Sequence, residues 1–215
     1  MAVDTLLSMP NQRTAIGFRD YTLMLLLYST AVRINELLTL KIGNIVVDCA
    51  KPHITVIGKG RKKRPIPLLA KPMQYLKRYL AEYHPNPDDA EALLFSSKSK
   101  GIYTPMSAEN VNKMLKRYAK MAHGKCGGVP LDIHAHQFRH AKASHWLENG
   151  MNIAQISYLL GHENIQTTMV YLDITTEQEE KALETLEDEN QRSVGKKWKS
   201  AKGKMELEVF LGLRK

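Results

Sequence analysis

The longest apolar stretch in the chain is YTLMLLLYSTAV, which runs from Tyr21 to Val32. It falls well short of the roughly 20 residues that a membrane-spanning helix needs, so it predicts a helix buried in a protein core. Leucines on helical spacing occur inside this stretch and beyond it, at Leu23, Leu26, Leu27, Leu37, Leu38 and Leu40. Two helices that join near residues 29–31 are therefore expected.

The hydrophobic periodicity changes after Ile54. The stretch ITVIGKGRKKRPIPL contains a β-branched run, a turn from Gly58 to Gly60, a cationic cluster and then the alternating Ile66 and Leu68. This order predicts a β-hairpin with a basic tip. Helical spacing returns in AKPMQYLKRYLAEY and in SAENVNKMLKRYAKMA, and Ser107 is the expected N-cap of the second of these helices.

Short helices are expected in the second half of the chain, over 136–149, 153–160 and 165–171. Gly150 and Gly161 stand just past the first two, where glycine commonly ends a helix. An acidic helix over 177–190, the basic tail KKWKSAKGK and a final run MELEVFLGL follow. The patterns predict a mainly α fold with one small antiparallel β-sheet, an α+β architecture, in a domain over 1–190 with a basic tail over 191–215.

Charge and composition narrow the class of protein. Among the 215 residues, 31 Lys and Arg against 22 Asp and Glu give a net charge of +9, which favours nucleic acid or another polyanion as partner. The hydrophobic fraction of 43% is typical of a globular rather than a disordered chain. Cys49 and Cys126 match no zinc or redox spacing, and no signal-peptide pattern is visible, so a reducing cytoplasm and no membrane partner are expected.

The heptapeptide HAHQFRH, from His134 to His140, concentrates histidines around an arginine. On a helix, His136, Arg139 and His140 share one face. For any single histidine the ordinary interpretation is a solvated helix face. A metal site is disfavoured, because an arginine among the ligands repels a cation and no Asp, Glu or Cys at ligand spacing joins the pair. The planar fork of Arg139 is suited instead to phosphate.

Two further segments fit an anion site. LLGHENIQTTMVYLD places His162 directly after a helix-ending glycine and Tyr171 at the end of the next short helix. YSTAVRINELL places Arg33 at the start of a helix, where backbone N–H groups and the helix dipole attract anions. Taken singly, the tyrosine is an ordinary packing residue and the arginine an ordinary surface charge.

Five motifs together resemble a known family. AVRINEL, GKGRKKRPIPL, HAHQFRH, LLGH and TTMVY match, in order and approximate spacing, the catalytic domain of the tyrosine recombinases, the phage integrase family. The resemblance implies the DNA breaking–rejoining fold and a site formed by Arg33, Lys59, His136, Arg139, His162 and Tyr171. Ala31 stands where the family often has glycine, and Arg61, Lys62 and Lys63 are alternatives to Lys59, which matches better because it lies in the GKG turn.

The resemblance also implies a reaction that needs no metal and no ATP. The oxygen of Tyr171 attacks a DNA phosphodiester, which gives a 3′-phosphotyrosyl intermediate and a free 5′-hydroxyl. In this assignment Arg33, Arg139 and His162 stabilise the charge on the phosphate oxygens. His136 helps to remove the tyrosine proton, and Lys59 protonates the departing 5′ oxygen.

The remaining basic residues are expected to contact the phosphate backbone of DNA. Four lie in the hairpin and four share one face of a helix over 108–122, at i, i+3, i+4 and i+7. They are Arg61, Lys62, Lys63 and Arg64, and Lys113, Lys116, Arg117 and Lys120.

The assembly follows from the resemblance in the same way. It implies double-stranded DNA as partner, a homotetramer on DNA that is weakly associated or monomeric without it, and possible accessory proteins. Only a short segment precedes the first motif, so the family's N-terminal core-binding domain is expected to be absent. A strand over 205–211 suits pairing in cis or with a neighbouring protomer. A DNA-relaxing enzyme like the type IB topoisomerases and a non-catalytic DNA-binding relative remain alternatives.

Overall fold

The computed structural model describes residues 2–84, 86, 89–99, 102–162 and 164–169. Its helices are α1 (Ala2–Leu7), α2 (Ala15–Thr30), α3 (Ile34–Leu38), α4 (Ala70–Tyr83), α5 (Ala108–His123), α6 (Ala135–Glu148), α7 (Ile153–Leu160) and α8 (Gln166–Met169). Its strands are β1 (Ile45–Val46), β2 (His53–Ile57), β3 (Lys63–Pro67), β4 (Ser96–Ser99) and β5 (Ile102–Pro105). Tyr171, the acidic helix expected over 177–190 and the strand expected over 205–211 lie outside the described residues.

Helix α2 is the centre of the core, as its apolar sequence predicts. Thr14 caps its first turn by accepting from the backbone N–H of Gly17 at 3.1 Å. Leu23 and Leu26 are completely buried, and the helix packs against α4 on one side and α6 on another. Residues 20–27 of α2 are all buried, and α1, α4 and α6 pack against this helix. Within the described residues, none of the helices is long and apolar enough to cross a lipid bilayer.

The predicted hairpin is present, and it belongs to a three-stranded antiparallel sheet in the order β1-β2-β3. Ile54 pairs with Ile66 and Val56 pairs with Arg64, and all four of these side chains face the interior. The expectation of one sheet is wrong, because β4 and β5 form a second, two-stranded antiparallel sheet. The residues of β5 are all exposed, so this hairpin lacks the buried alternation that would have identified it from the sequence.

The helices around the HAHQFRH segment begin and end as their capping signals predict. Ser107 accepts from the backbone N–H of Asn110 at the start of α5. Gly161 has a φ of 65° and ends α7, and Gly150 has a φ of 80° just after α6. A small cluster of buried apolar side chains joins the end of α2 to α6 and α7. The end of α2 and the helices α6 and α7 therefore meet at one place in the fold.

Candidate active site

Arg33 is the N-cap residue of α3 and directly follows the turn that ends α2. Its backbone N–H donates to Glu36 Oε2 at 2.8 Å, and its Nη1 donates to Glu36 Oε1 at 3.2 Å. On the other side, Nη2 donates to the carbonyl oxygen of Gly161 at 3.3 Å. The side chain is nevertheless 44% exposed. Arg33 is therefore held in place at a rim while part of its guanidinium faces solvent.

Arg139 lies in the second turn of α6 and is only 3% exposed. Its Nη1 donates to the carbonyl oxygen of Ala31 at 2.8 Å, and its Nη2 donates to the carbonyl oxygen of Leu160 at 2.6 Å. These carbonyls end α2 and α7, and the C-terminal end of a helix carries partial negative charge. Two helix ends thus stabilise one buried cation.

An open cavity of about 420 Å³ lies between these arginines and the hairpin. Its lining includes Arg33 of the α3 start, Ile57 and Gly58 of the hairpin, and His136 and Arg139 of α6. Two guanidinium groups and an imidazole from separate segments of the chain therefore border one space that is open to solvent. This arrangement suits a phosphate group better than a metal ion.

The rings of His136 and His140 stand edge to face, with centroids 4.3 Å apart. Partial desolvation and the neighbouring His140 and Arg139 lower the pKa of His136 below its ordinary value. Partial desolvation and Arg139 also lower the pKa of His140. Both rings are therefore neutral at pH 7, which leaves His136 able to accept a proton.

His162 follows the left-handed Gly161, and its backbone N–H donates to the carbonyl of Ser157 at 3.0 Å. Its Nδ1 lies 2.8 Å from the Oγ1 of the buried Thr168. Burial, followed by Arg139, Arg33 and other cations nearby, lowers the pKa of His162 to about 4. When Nδ1 accepts the hydroxyl proton of Thr168, the ring carries its hydrogen on Nε2 and can donate it to an anion.

The tip of the hairpin is a short 3-10 turn over Lys59–Arg61, with Gly60 at a φ of 68° and Arg61 at 57°. The backbone of Lys59 lies directly after Gly58, which lines the cavity. Lys62 and Lys63 are exposed on the same tip. The side chain of Lys59 and the whole of Tyr171 lie outside the described residues, so their assignments stay predictions.

The sequence profile of the phage integrase family matches residues 2–178 of the chain. This match covers most of the 215 residues and all of the site described above. The chain belongs to the phage integrase family. The tyrosine recombinase XerC of Chlamydia caviae is 31% identical over 177 residues, which cover 80% of this chain and 53% of that protein.

Other phage integrase relatives give the same result. A tyrosine recombinase of Pseudothermotoga lettingae is 34% identical over 179 residues, which cover 83% of this chain and 56% of that protein. The XerH recombinase in a post-cleavage complex with its palindromic difH substrate matches with a TM-score of 0.69 and 25% identity over 86% of this chain and 52% of that one. XerA recombinase matches with a TM-score of 0.65 and 25% identity, over 82% of this chain and 61% of that one.

These matches confirm the α+β recombinase fold expected from the five motifs. The chain spans about half the length of the curated relatives it matches. Within the described part of the chain, no group of three or more His, Cys, Asp or Glu side chains is close enough together to hold a metal ion.

The basic face of α5 is present in this family member. Lys113, Lys116, Arg117 and Lys120 are all exposed along one side of the helix. Three of them form ion pairs: Lys113 with the exposed Glu109 at 2.7 Å, Lys116 with the exposed Asp132 at 2.6 Å, and Arg117 with the buried Asp20 at 3.5 Å. The exposure of these four side chains is compatible with contacts to the phosphate backbone of DNA. Those contacts stay a prediction.

Glu36 is a site residue that the sequence reasoning missed. It is 7% exposed and accepts from the backbone of Arg33 and from the side chains of Arg33 and Arg64. Burial raises the pKa of Glu36, but the hydrogen bonds and charges of the two arginines outweigh it and hold the pKa below its ordinary value. Its position three residues after Arg33, where a glutamate commonly caps a helix start, was the available signal.

Arg64 does not occupy the position expected for a DNA contact. It is 8% exposed, and its Nη1 and Nη2 donate to the two carboxylate oxygens of Glu36 at 3.0 and 2.8 Å. The physical reason is strand periodicity, because residues two apart in a strand share a face and Ile66 faces the core. In this structure the guanidinium is therefore turned inwards, away from the basic tip where the prediction placed it.

His134 has a structural place that the sequence did not suggest. It precedes the first residue of α6, and its backbone N–H donates to Gln137 Oε1 at 2.9 Å. Its Nδ1 lies 2.8 Å from the same oxygen. The residue therefore helps to close the first turn of the helix that carries His136 and Arg139.

Proposed function

We propose that the chain is the cleaving and rejoining domain of a site-specific DNA recombinase that acts through a 3′-phosphotyrosyl intermediate. The observation that carries this proposal is the convergence of Arg33, Arg139 and His136 on one open cavity, with His162 in the adjoining turn. Phosphoryl transfer depends mainly on positioning and on stabilising charge on the non-bridging oxygens, which is what such a set supplies.

The two arginines have different parts in this proposal. Arg139 is fixed from behind by two carbonyls, so its position is set before DNA binds. Arg33 is anchored by Glu36 but partly exposed, so it can take up a second oxygen of the same phosphate. His162, neutral because its pKa is about 4, donates a hydrogen bond without adding a full charge.

Each step of the proposed reaction pairs one bond formed with one bond broken. The oxygen of Tyr171 forms a bond to phosphorus while the bond from phosphorus to O5′ breaks, so the phosphorus remains a diester, joined to O3′ of the DNA and to the tyrosine oxygen. The tyrosine proton passes to His136, whose lowered pKa leaves it neutral and able to accept. Lys59 delivers a proton to the departing O5′. Because the phosphotyrosine conserves the bond energy, rejoining reverses these steps without ATP or a metal.

The proposed partner is double-stranded DNA, on which four copies of the chain assemble. The exposed cations of the hairpin tip and of α5 supply charge for contacts to phosphates. XerH was solved with a palindromic difH substrate. By analogy, we expect a substrate of two inverted half-sites.

The proposal can be tested without knowing the recognition sequence. The chain is incubated in EDTA and low salt with a library of nicked duplexes of randomised sequence. The nick lets the short fragment that carries the new 5′-hydroxyl diffuse away, which traps the covalent intermediate. Denaturing gels then separate free protein from covalent adduct. We expect an adduct for the wild-type chain and none for Tyr171→Phe, because phenylalanine keeps the ring and lacks the nucleophilic oxygen.

The outcomes separate the alternatives. An adduct that forms only with added divalent metal, or that persists in Tyr171→Phe, would contradict the proposal. Relaxation of supercoiled DNA without exchange between two duplexes would favour a topoisomerase-like activity. Binding with no adduct across the whole library would favour a non-catalytic DNA-binding protein.

A further inference from the structure

We propose that Arg64 is a positioning residue that sets the hairpin carrying Lys59 and the turn carrying His162 at a fixed separation. The inference rests on the proposed function, because it concerns the geometry of that same site. It assigns to a buried hairpin arginine a role other than DNA contact.

The guanidinium of Arg64 lies between two glycines that directly precede the two proposed catalytic residues. A Cβ placed on Gly58, the residue before Lys59, would lie 3.1 Å from Arg64 Nη1. A Cβ placed on Gly161, the residue before His162, would lie 2.7 Å from Nη1 and 2.8 Å from Cζ. The backbone of both segments therefore rests against one planar group.

Hydrogen bonds fix that planar group in its place. Both carboxylate oxygens of Glu36 accept from it, at 3.0 and 2.8 Å, and the carbonyl oxygen of Leu159 accepts from Nε at 3.3 Å. Glu36 also binds Arg33, whose Nη2 donates to the carbonyl of Gly161. Arg64 thus connects the hairpin, the start of α3 and the end of α7 through one side chain.

The arrangement needs arginine rather than any cation. Two parallel donors match the two oxygens of Glu36, and a flat group fits between the two glycines. A lysine in the same place keeps the charge but offers one compact ammonium, which cannot hold the same separation. A shift of about 1 Å between catalytic groups costs on the order of 100-fold in rate.

The test compares Arg64→Lys with the exposed neighbour Lys63→Gln in the full chain. The cleavage rate is measured in a single turnover at saturating nicked duplex, and the Kd is measured over a range of salt. We expect Arg64→Lys to lower the rate roughly 10- to 100-fold with the Kd and its salt dependence unchanged. Lys63→Gln should weaken binding and reduce the salt slope by about 1, because it removes a phosphate contact.

A second variant tests the same contact without removing the arginine. Gly58 has a φ of −87° and a ψ of −168°, which alanine adopts readily, so Gly58→Ala introduces only a methyl group against Arg64. We expect a roughly 3- to 10-fold slower rate in the wild-type background and less than about twofold in Arg64→Lys, where the smaller head group leaves room. Gly127→Ala is the matched control, since nothing lies within 4 Å of its added Cβ.

Each outcome either supports or overturns the positioning role of Arg64. An Arg64→Lys variant that cleaves at the wild-type rate, or that loses affinity and salt slope as Lys63→Gln does, overturns the inference. If Arg64→Lys does not fold, a Gly58→Ala variant with full cleavage activity overturns it. A wild-type chain that forms no adduct contradicts the proposed function itself. Equal cleavage by wild type and Arg64→Lys contradicts only the role of Arg64, so the two failures are distinguishable.

Discussion

Arg139 and Arg64 are two buried arginines in opposite surroundings. The partners described for Arg139 are two helix-ending carbonyls, whereas Arg64 forms a two-point ion pair with Glu36. A carbonyl stabilises a cation without cancelling its charge, and a carboxylate cancels it. The difference teaches that burial alone does not separate an arginine suited to phosphate from one that holds segments together.

Arg33 stands between these two cases. It shares Glu36 with Arg64, so one carboxylate faces two guanidinium groups. The cluster of three side chains therefore keeps one net positive charge. Arg33 and Glu36 both line the cavity, and Arg33 is the partly exposed one of the two.

The Arg139→Lys substitution is expected to have the largest effect, and this effect is on the cleavage rate. Lysine keeps the charge but cannot donate to both carbonyls and to a phosphate oxygen in one plane. We expect the single-turnover cleavage rate to fall by on the order of 100- to 1,000-fold. The comparison fails if Arg139→Lys cleaves as fast as Arg64→Lys on the same nicked duplex.

The next largest effect is on stability, from Glu36→Gln. Removing the carboxylate leaves Arg64 buried without a counter-charge, so the free energy of unfolding should fall by about 3 kcal/mol. Urea unfolding at pH 7 measures it. Glu109→Gln is the matched control, because Glu109 pairs with Lys113 in full solvent exposure and its loss should leave stability unchanged.

The ion pair of Glu36 and Arg64 also predicts how the free energy of unfolding changes as the pH falls. The folded-state pKa of Glu36 lies below its ordinary value, so its contribution to stability is fully present above the unfolded pKa of about 4.3. That contribution is lost as the pH falls through the folded-state pKa. Wild type and Glu36→Gln should therefore converge in stability on acidification, and a constant difference between them down to pH 2 would refute this assignment.

Strong local patterns in the sequence predicted much of this structure. The apolar run of α2, the hairpin around Gly58 and the caps of α5 and α7 are each encoded within a few neighbouring residues, and all are present. β4 and β5 were missed because β4 is a polar SSKS segment and all four residues of β5 are exposed, the apolar Ile102 and Tyr103 included, so neither strand carries an alternation of buried and exposed residues.

The candidate site was predicted unevenly for a similar reason. The family motifs identified Arg33, His136, Arg139 and His162, but not Glu36. The carboxylate of Glu36 binds two arginines, one of which lies in a segment far away in the sequence. The pairing of Glu36 with Arg64 joins α3 to the hairpin, and short-range spacing does not report such a contact. The alternation that placed Ile66 inside also places Arg64 inside, so this part was readable from the sequence.

A smaller effect is expected from Thr168→Val, which tests how His162 is held. His162 lies near both Arg33 and Arg139. Valine keeps the shape and loses the hydroxyl that lies 2.8 Å from His162 Nδ1, so the ring is no longer oriented. We expect roughly tenfold slower cleavage and a loss of about 1 kcal/mol in unfolding free energy. Thr168→Ser should restore the cleavage rate, because it keeps the hydroxyl, and equal rates for Val and wild type would exclude an orienting role.

The pH titration of His162 tests the surroundings of the same ring. Its pKa is lowered to about 4, so the neutral ring contributes stability that is fully present above the unfolded pKa of about 6.5 and is lost as the pH falls through about 4. NMR of the ring protons should show no protonation between pH 7 and pH 5. A midpoint near 6.5 would show that neither burial nor the arginines lower the pKa of this ring.

The smallest effect is expected from Ala31→Gly, at the carbonyl that holds Arg139. Ala31 has a φ of 51°, so glycine relieves roughly 1–2 kcal/mol of strain. It also loses a buried methyl group, about 0.8 kcal/mol, and gains chain entropy in the unfolded state. We expect a net change in unfolding free energy below about 1 kcal/mol and an unchanged cleavage rate. A large loss of cleavage would mean that the Ala31 side chain itself shapes the site.

The most direct test of the central claim is to identify the residue joined to DNA. The covalent adduct formed in EDTA with a nicked duplex is digested with protease and nuclease, and the modified peptide is sequenced by mass spectrometry. We predict a 3′-nucleotide phosphate on the oxygen of Tyr171, in the peptide that follows His162 and Thr168. Attachment to any other side chain, or attachment through a 5′-phosphate, would contradict the account.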